Sequence, residues 1–116
     1  MDNRPIGVFD SGIGGLTVVD ALAKSLPNET IYYVGDTARV PYGNKSKSCI
    51  QQYASEIINW LNKKDCKIII VACNTASALA LKYLSSVFSI PIIGVIESGV
   101  NRGIRMNQNN KIAVLG

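Results

Sequence analysis

KIIIVACNTASALA, residues 67–80, reads as a strand that runs into a helix through a single cysteine. Ile68, Ile69, Ile70 and Val71 are β-branched and do not alternate with polar residues, the pattern of a strand buried on both faces of a parallel sheet. Cys73 then falls at the carboxyl end of that strand. Asn74 and Thr75 are good N-cap types ahead of an Ala/Leu-rich segment that extends to about Phe88, so one helix is expected there. A thiol facing the positive end of a helix dipole is favoured as the thiolate, the reactive form of cysteine.

Working outward, the same unit recurs. Ile6–Phe9 is a short apolar run, followed by the polar, glycine-rich turn Asp10-Ser11-Gly12-Ile13-Gly14-Gly15. Leu16, Val19, Leu22, Ala23 and Leu26 then repeat at helical spacing until Pro27. Thr30–Val34 reads as a second strand. Residues 35–47 lack periodicity and form a loop longer than is usual in α/β units, and such loops often carry function. Ser46 or Ser48 caps a helix with apolar face Ile50, Tyr53, Ala54, Ile57, Ile58 and Leu61. Beyond Cys73, Pro91–Ile96 and Lys111–Leu115 read as further strands, with a turn at Glu97-Ser98-Gly99 and a helix near Val100–Met106. The order βαβαβαβαβ predicts an α/β fold: a mostly parallel sheet with helices on both faces. A chain ending on a strand reads as a fragment, with a further lobe absent.

Composition excludes several classes. The chain has 116 residues, 47% hydrophobic and 17% charged, enough for one core and not for two domains. No apolar run approaches the roughly 20 residues of a membrane span, and MDNRPIGVF lacks the plan of a secretory signal, so neither membrane nor export is expected and a cytoplasmic protein is the default. The net charge is +4, but the basic residues are scattered without interleaved aromatics, so no nucleic-acid partner is expected. Three cysteines and no histidine make a zinc site hard to assemble, and no metal is expected. Cys49 and Cys66 have no polar company and read as structural or incidental.

Ligands of open parallel sheets collect at the carboxyl ends of the strands. Four segments put polar residues there: Asp10-Ser11, Asp36 with the loop to Gly43, Cys73-Asn74-Thr75, and Glu97-Ser98. The glycine-rich turn lacks the third glycine of a dinucleotide fingerprint and the lysine of a P-loop, so both phosphate readings are weak. Backbone N–H groups meeting a carboxylate remain open. Cys73 reads either as a packing residue or as a catalytic thiol, and Asp10 either as a capping carboxylate or as the group that orients the thiol as a base. Pro41, Tyr42 and Gly43 form a turn that is either ordinary surface or a stiff segment presented to a ligand. Asp36 and Arg39 read as an ion pair across the loop.

GVFDSGIGG at 7–15, DTARVPYG at 36–43 and ACNTASA at 72–78 together resemble the N-terminal half of a bacterial glutamate racemase, of the aspartate/glutamate racemase superfamily. The resemblance covers nearly the whole chain. It implies one lobe of a two-lobed, cofactor-independent isomerase that supplies D-glutamate for peptidoglycan, with a cysteine from each lobe acting on opposite faces of the α-carbon. On this sequence it makes Cys73 the first proton acceptor and donor, with Asp10 tuning the thiol and also lining the site. Ser11 holds the substrate, Pro41, Tyr42 and Gly43 contact it from the loop, and Asn74 and Thr75 bind its amino and carboxylate groups. The second cysteine belongs to the C-terminal lobe, so residues 1–116 alone are expected to be inactive. A racemase of aspartate or another amino acid, and a non-catalytic amino-acid-binding module, are the competing readings. A lobe without its partner exposes apolar surface, which favours a homo-oligomer.

Overall fold

The computed structural model describes residues 1–114. Four strands, β1 (Ile6–Asp10), β2 (Ile31–Gly35), β3 (Ile68–Val71) and β4 (Ile92–Gly94), form a parallel sheet in the order β2-β1-β3-β4. The chain therefore steps from β1 to one side, then crosses back over β1 to build the other. Right-handed crossovers put the helix between β1 and β2 on one face and those between β2, β3 and β4 on the opposite face. These are α1 (Leu16–Ser25), then α2 (Lys47–Lys63), α3 (Asn74–Leu79) and α4 (Leu81–Val87). A fifth helix, α5 (Ile96–Met106), follows β4. Among the described residues no helix is long and apolar enough to cross a membrane.

The core lies between the sheet and α2, α3 and α4. Phe9, Ile69 and Val71 point into it from the strands, meeting Ile50, Ala54, Ile57, Ile58 and Leu61 of α2 and Leu84 of α4. The α2 spacings of three and four residues make one continuous stripe. Its N-terminus is closed by Ser46, whose hydroxyl accepts the Cys49 N–H at 3.2 Å. Burying each Ile or Leu of that stripe contributes about 2 kcal/mol, so packing rather than local propensity holds α2 in place.

Four sequence expectations are corrected. β3 is not buried on both faces: Ile69 and Val71 are buried while Ile68 and Ile70 are only half-covered, because α2, α3 and α4 all pack on the other side. The Ala/Leu-rich helix is two helices, broken at Ala80, where the Leu79 carbonyl takes a hydrogen bond from the Gln51 side chain of α2 at 3.2 Å. That partner satisfies a carbonyl the break would otherwise orphan. The Glu97-Ser98-Gly99 turn is the first part of α5, which starts at Ile96 rather than near Val100, with Glu97 at the end where a negative charge suits the dipole. Strand pairing is absent from residues 111–114, and Leu115 of the expected last strand lies outside the described residues.

Candidate active site

The direction of strand order reverses between β1 and β3, and a cleft of about 490 Å3 opens at their carboxyl ends. Reversal points part the two connecting loops and so form ligand crevices. Asp10, Ser11, Cys73, Asn74 and Thr75 all line this cleft, as do Gly12, Gly14 and Ala72 of the flanking turns. Backbone pairing brings them together: the Ala72 N–H donates to the Phe9 carbonyl at 2.7 Å, which aligns the exits of the two strands.

Cys73 is itself the N-cap of α3, in place of the expected Asn74 or Thr75. Its sulfur accepts the Ala76 N–H at 3.4 Å, and its thiol donates to the Ser11 hydroxyl at 3.4 Å. The residue is 5% exposed: it lines the cleft and also belongs to the buried cluster that includes Phe9, Tyr42 and Ala76. Asp10, 7% exposed, accepts the Gly15 N–H at 2.8 Å through Oδ2 and thereby caps α1 from a distance. This bond occupies one of the backbone N–H groups of the turn with a carboxylate of the chain itself. It also explains Gly15: a Cβ there would lie 2.7 Å from the Asp10 Cβ and 3.1 Å from that of Ala72.

The remaining expected residues lie elsewhere. Glu97 and Ser98 line a separate hollow beside Ile92–Gly94 and Leu81. Pro41, Tyr42 and Gly43 do not line the cleft, although Val40 reaches the Gly12 edge of it. The Tyr42 ring is a core residue, 2% exposed, tilted against Phe9 and Tyr53 at centroid distances of 6.2 and 5.8 Å. The turn signal of Pro41 and Gly43 concealed this, because burial of an aromatic inside a loop leaves no periodic trace. The Gly43 position is open, with no protein atom within 4 Å of where a Cβ would sit.

Asp36 and Arg39 do pair, Nε to Oδ2 at 2.7 Å, and the pair belongs to a larger clamp. The Tyr42 hydroxyl donates to the same Asp36 oxygen, Arg39 reaches Glu56 of α2 at 2.7 Å, and its guanidinium lies 4.0 Å over the Tyr53 ring. Loop 36–43 is thus fastened to α2 by charge-assisted bonds and a cation–π contact.

Burial, the hydrogen bond to Asp36 and the Asp36 charge all hold the Tyr42 proton more tightly than an ordinary phenol does. An unfolded chain releases that proton near pH 10 while the folded one retains it, so this contribution to stability is whole below about pH 10 and is lost as pH rises further. In the full-length protein the denaturation midpoint should fall across that range, and Tyr42→Phe should flatten the fall. An unchanged pH dependence in the variant would contradict this assignment.

Residues 6–116 match the family model described as Asp/Glu/Hydantoin racemase. The chain belongs to this racemase family. It is 51% identical over 114 residues to glutamate racemase of Staphylococcus aureus, covering 98% of this chain and 43% of that protein. Glutamate racemase from Aquifex pyrophilus superposes with a TM-score of 0.90 at 48% identity, over 92% of this chain and 42% of the other. The Francisella tularensis glutamate racemase, solved with D-glutamate, gives 0.83 at 52% identity, over 88% and 39%. The chain thus spans less than half the length of the curated relatives it matches. Its α/β fold with a parallel sheet is that of the matched part of these racemases.

Among the described residues, no group of three or more Cys, Asp or Glu is placed to hold a metal ion. The cleft brings together a thiol in hydrogen-bond contact with a hydroxyl, a buried carboxylate and two further polar side chains, group types able to carry acid–base chemistry.

Proposed function

We propose that residues 1–116 are the N-terminal lobe of a cofactor-independent glutamate racemase that acts in the cytoplasm and supplies D-glutamate for peptidoglycan. The observation that carries this reading is the Cys73 thiol at the strand-reversal cleft, bonded to Ser11 and flanked by Asp10, Asn74 and Thr75. Affiliation with the racemase family and the likeness to glutamate racemases support it.

The chemistry follows from the placement. The α-proton of an amino acid is weakly acidic, so its removal needs a positioned base, exclusion of water and donors where negative charge builds on the carboxylate. Cys73 is the base for one face of the α-carbon. Ser11, Asn74 and Thr75 hold the carboxylate and amino groups, and Asp10 orients the thiol from the neighbouring strand. Pro41, Tyr42 and Gly43 flank the substrate through their main chain, the Tyr42 ring being occupied in the core. Inversion returns a proton to the opposite face, which one thiol held in one lobe cannot reach. A second thiol from the rest of the protein completes the pair.

Proton NMR of L-glutamate in D2O tests the reading. The full-length protein should erase the α-proton signal and the optical rotation together, faster for glutamate than for aspartate, while residues 1–116 alone should produce no D-glutamate. Faster turnover of aspartate would shift the substrate within the family. Turnover of neither would make the cleft a binding site only.

A further inference from the structure

Beside Cys73 the cleft wall is the last residue of β1 and the bend that follows it, Asp10-Ser11-Gly12, and its position sets where the Ser11 hydroxyl meets the thiol. β2 and its exit hold this wall at both ends. The Asp36 N–H donates to the Asp10 carbonyl at 2.9 Å, and the Tyr33 hydroxyl donates to the Gly12 carbonyl at 2.6 Å. Gly35 seats against the same Gly12 carbonyl, so that oxygen is gripped by a hydroxyl and packed on a backbone. Tyr33 is half-buried and does not line the cleft.

We propose that Tyr33 is a positioning residue for proton transfer at Cys73: through the Gly12 carbonyl it holds Ser11 in register with the thiol, without touching substrate. This rests on the racemase reading. A side chain two positions before Gly35 on an adjoining strand thus governs the alignment of a base on β3. Misplacement of a reacting group by about 1 Å costs on the order of a hundredfold in rate, and loss of one of several restraints costs less.

The test is Tyr33→Phe in the full-length enzyme, with Tyr32→Phe on the exposed side of the same strand as control. The expected result is a drop in kcat/KM of about tenfold for Tyr33→Phe and none for the control. The decisive readout is the primary deuterium isotope effect on kcat/KM with each α-deuterated enantiomer. It should rise for the enantiomer whose proton goes to Cys73 and fall for the other, because only the Cys73 step has been slowed. A general loss of structure would lower activity without moving the two effects apart, and that outcome overturns the proposal, as does an unaltered kcat/KM. If Tyr33→Phe fails to fold, the same isotope effects on a 4-aminophenylalanine variant, a weaker donor at the same reach, decide the matter: opposed shifts support the proposal and unshifted values overturn it. A parent enzyme inactive on both glutamate and aspartate overturns the racemase reading and this inference with it. An active parent with an indifferent variant overturns this inference alone.

Discussion

Full-length protein carrying Cys73→Ala should lose racemisation of glutamate by about a thousandfold or more while remaining folded. The first half of that expectation follows from the chemistry: positioned proton transfer contributes roughly 10²–10⁴ in rate, and the one carboxylate lining the cleft, Asp10, is engaged with the Gly15 N–H. The second half follows from the packing. Alanine is smaller than cysteine and fits the same backbone, and the lost interaction is the cap on the Ala76 N–H, worth about 1 kcal/mol. Loss of optical rotation in D2O measures the activity, and thermal unfolding measures the fold. A variant retaining a tenth of the parent rate at full stability would remove Cys73 from the mechanism. Cys73→Ser, which puts an oxygen in place of the sulfur that accepts the Ala76 N–H, should fold like the parent and be nearly as inactive as Cys73→Ala, since a hydroxyl is a far poorer source of a base at neutral pH than a thiol.

Gly35→Ala should be the most damaging glycine-to-alanine change among the described residues. A Cβ at residue 35 would overlap the Gly12 carbonyl oxygen and press within 3.2 Å of the Tyr33 ring and hydroxyl. Both sides of the clash are constrained: Gly35 pairs with Asp10 in the sheet register, and Gly12 is held by Tyr33. Neither can yield by turning a side chain, so β2 must part from β1 or the cleft wall must move. Overpacking of this kind costs about 3 kcal/mol, and displacement of Ser11 adds a loss of activity of about a hundredfold in whatever fraction still folds. Gly43→Ala, with open space around the added methyl, should cost less than about 0.5 kcal/mol. Chemical denaturation of the two variants beside the parent checks the contrast. Equal stabilities would mean that the β2 exit accommodates a side chain.

The strand–helix units and the polar residues at strand ends were readable because both rest on short-range pattern. An unbroken β-branched run, the three- and four-residue spacing of the α2 stripe and the Asp36–Arg39 pair each declare themselves within a few positions. The convergence of Asp10, Ser11, Cys73, Asn74 and Thr75 was legible for a related reason, since parallel strands put all their carboxyl ends on one edge. Glu97 and Ser98 share that edge yet missed the cleft, because α5 begins at Ile96, sooner than the apolar spacing indicated, and carries them along it.

Residue order alone therefore determined an α/β chain with a cysteine at a strand exit, and named four residues that share its cleft. Tertiary structure decided the rest. It set the order β2-β1-β3-β4, which makes β1 and β3 the walls of the crevice, and the break at Ala80 that Gln51 makes tolerable. It also turned Tyr42 into core and left Tyr33 and Gly35 gripping the Gly12 carbonyl. Each of these depends on contacts between residues far apart in the chain, or on the space left when helices pack, and neither quantity is written in the local spacing of side chains.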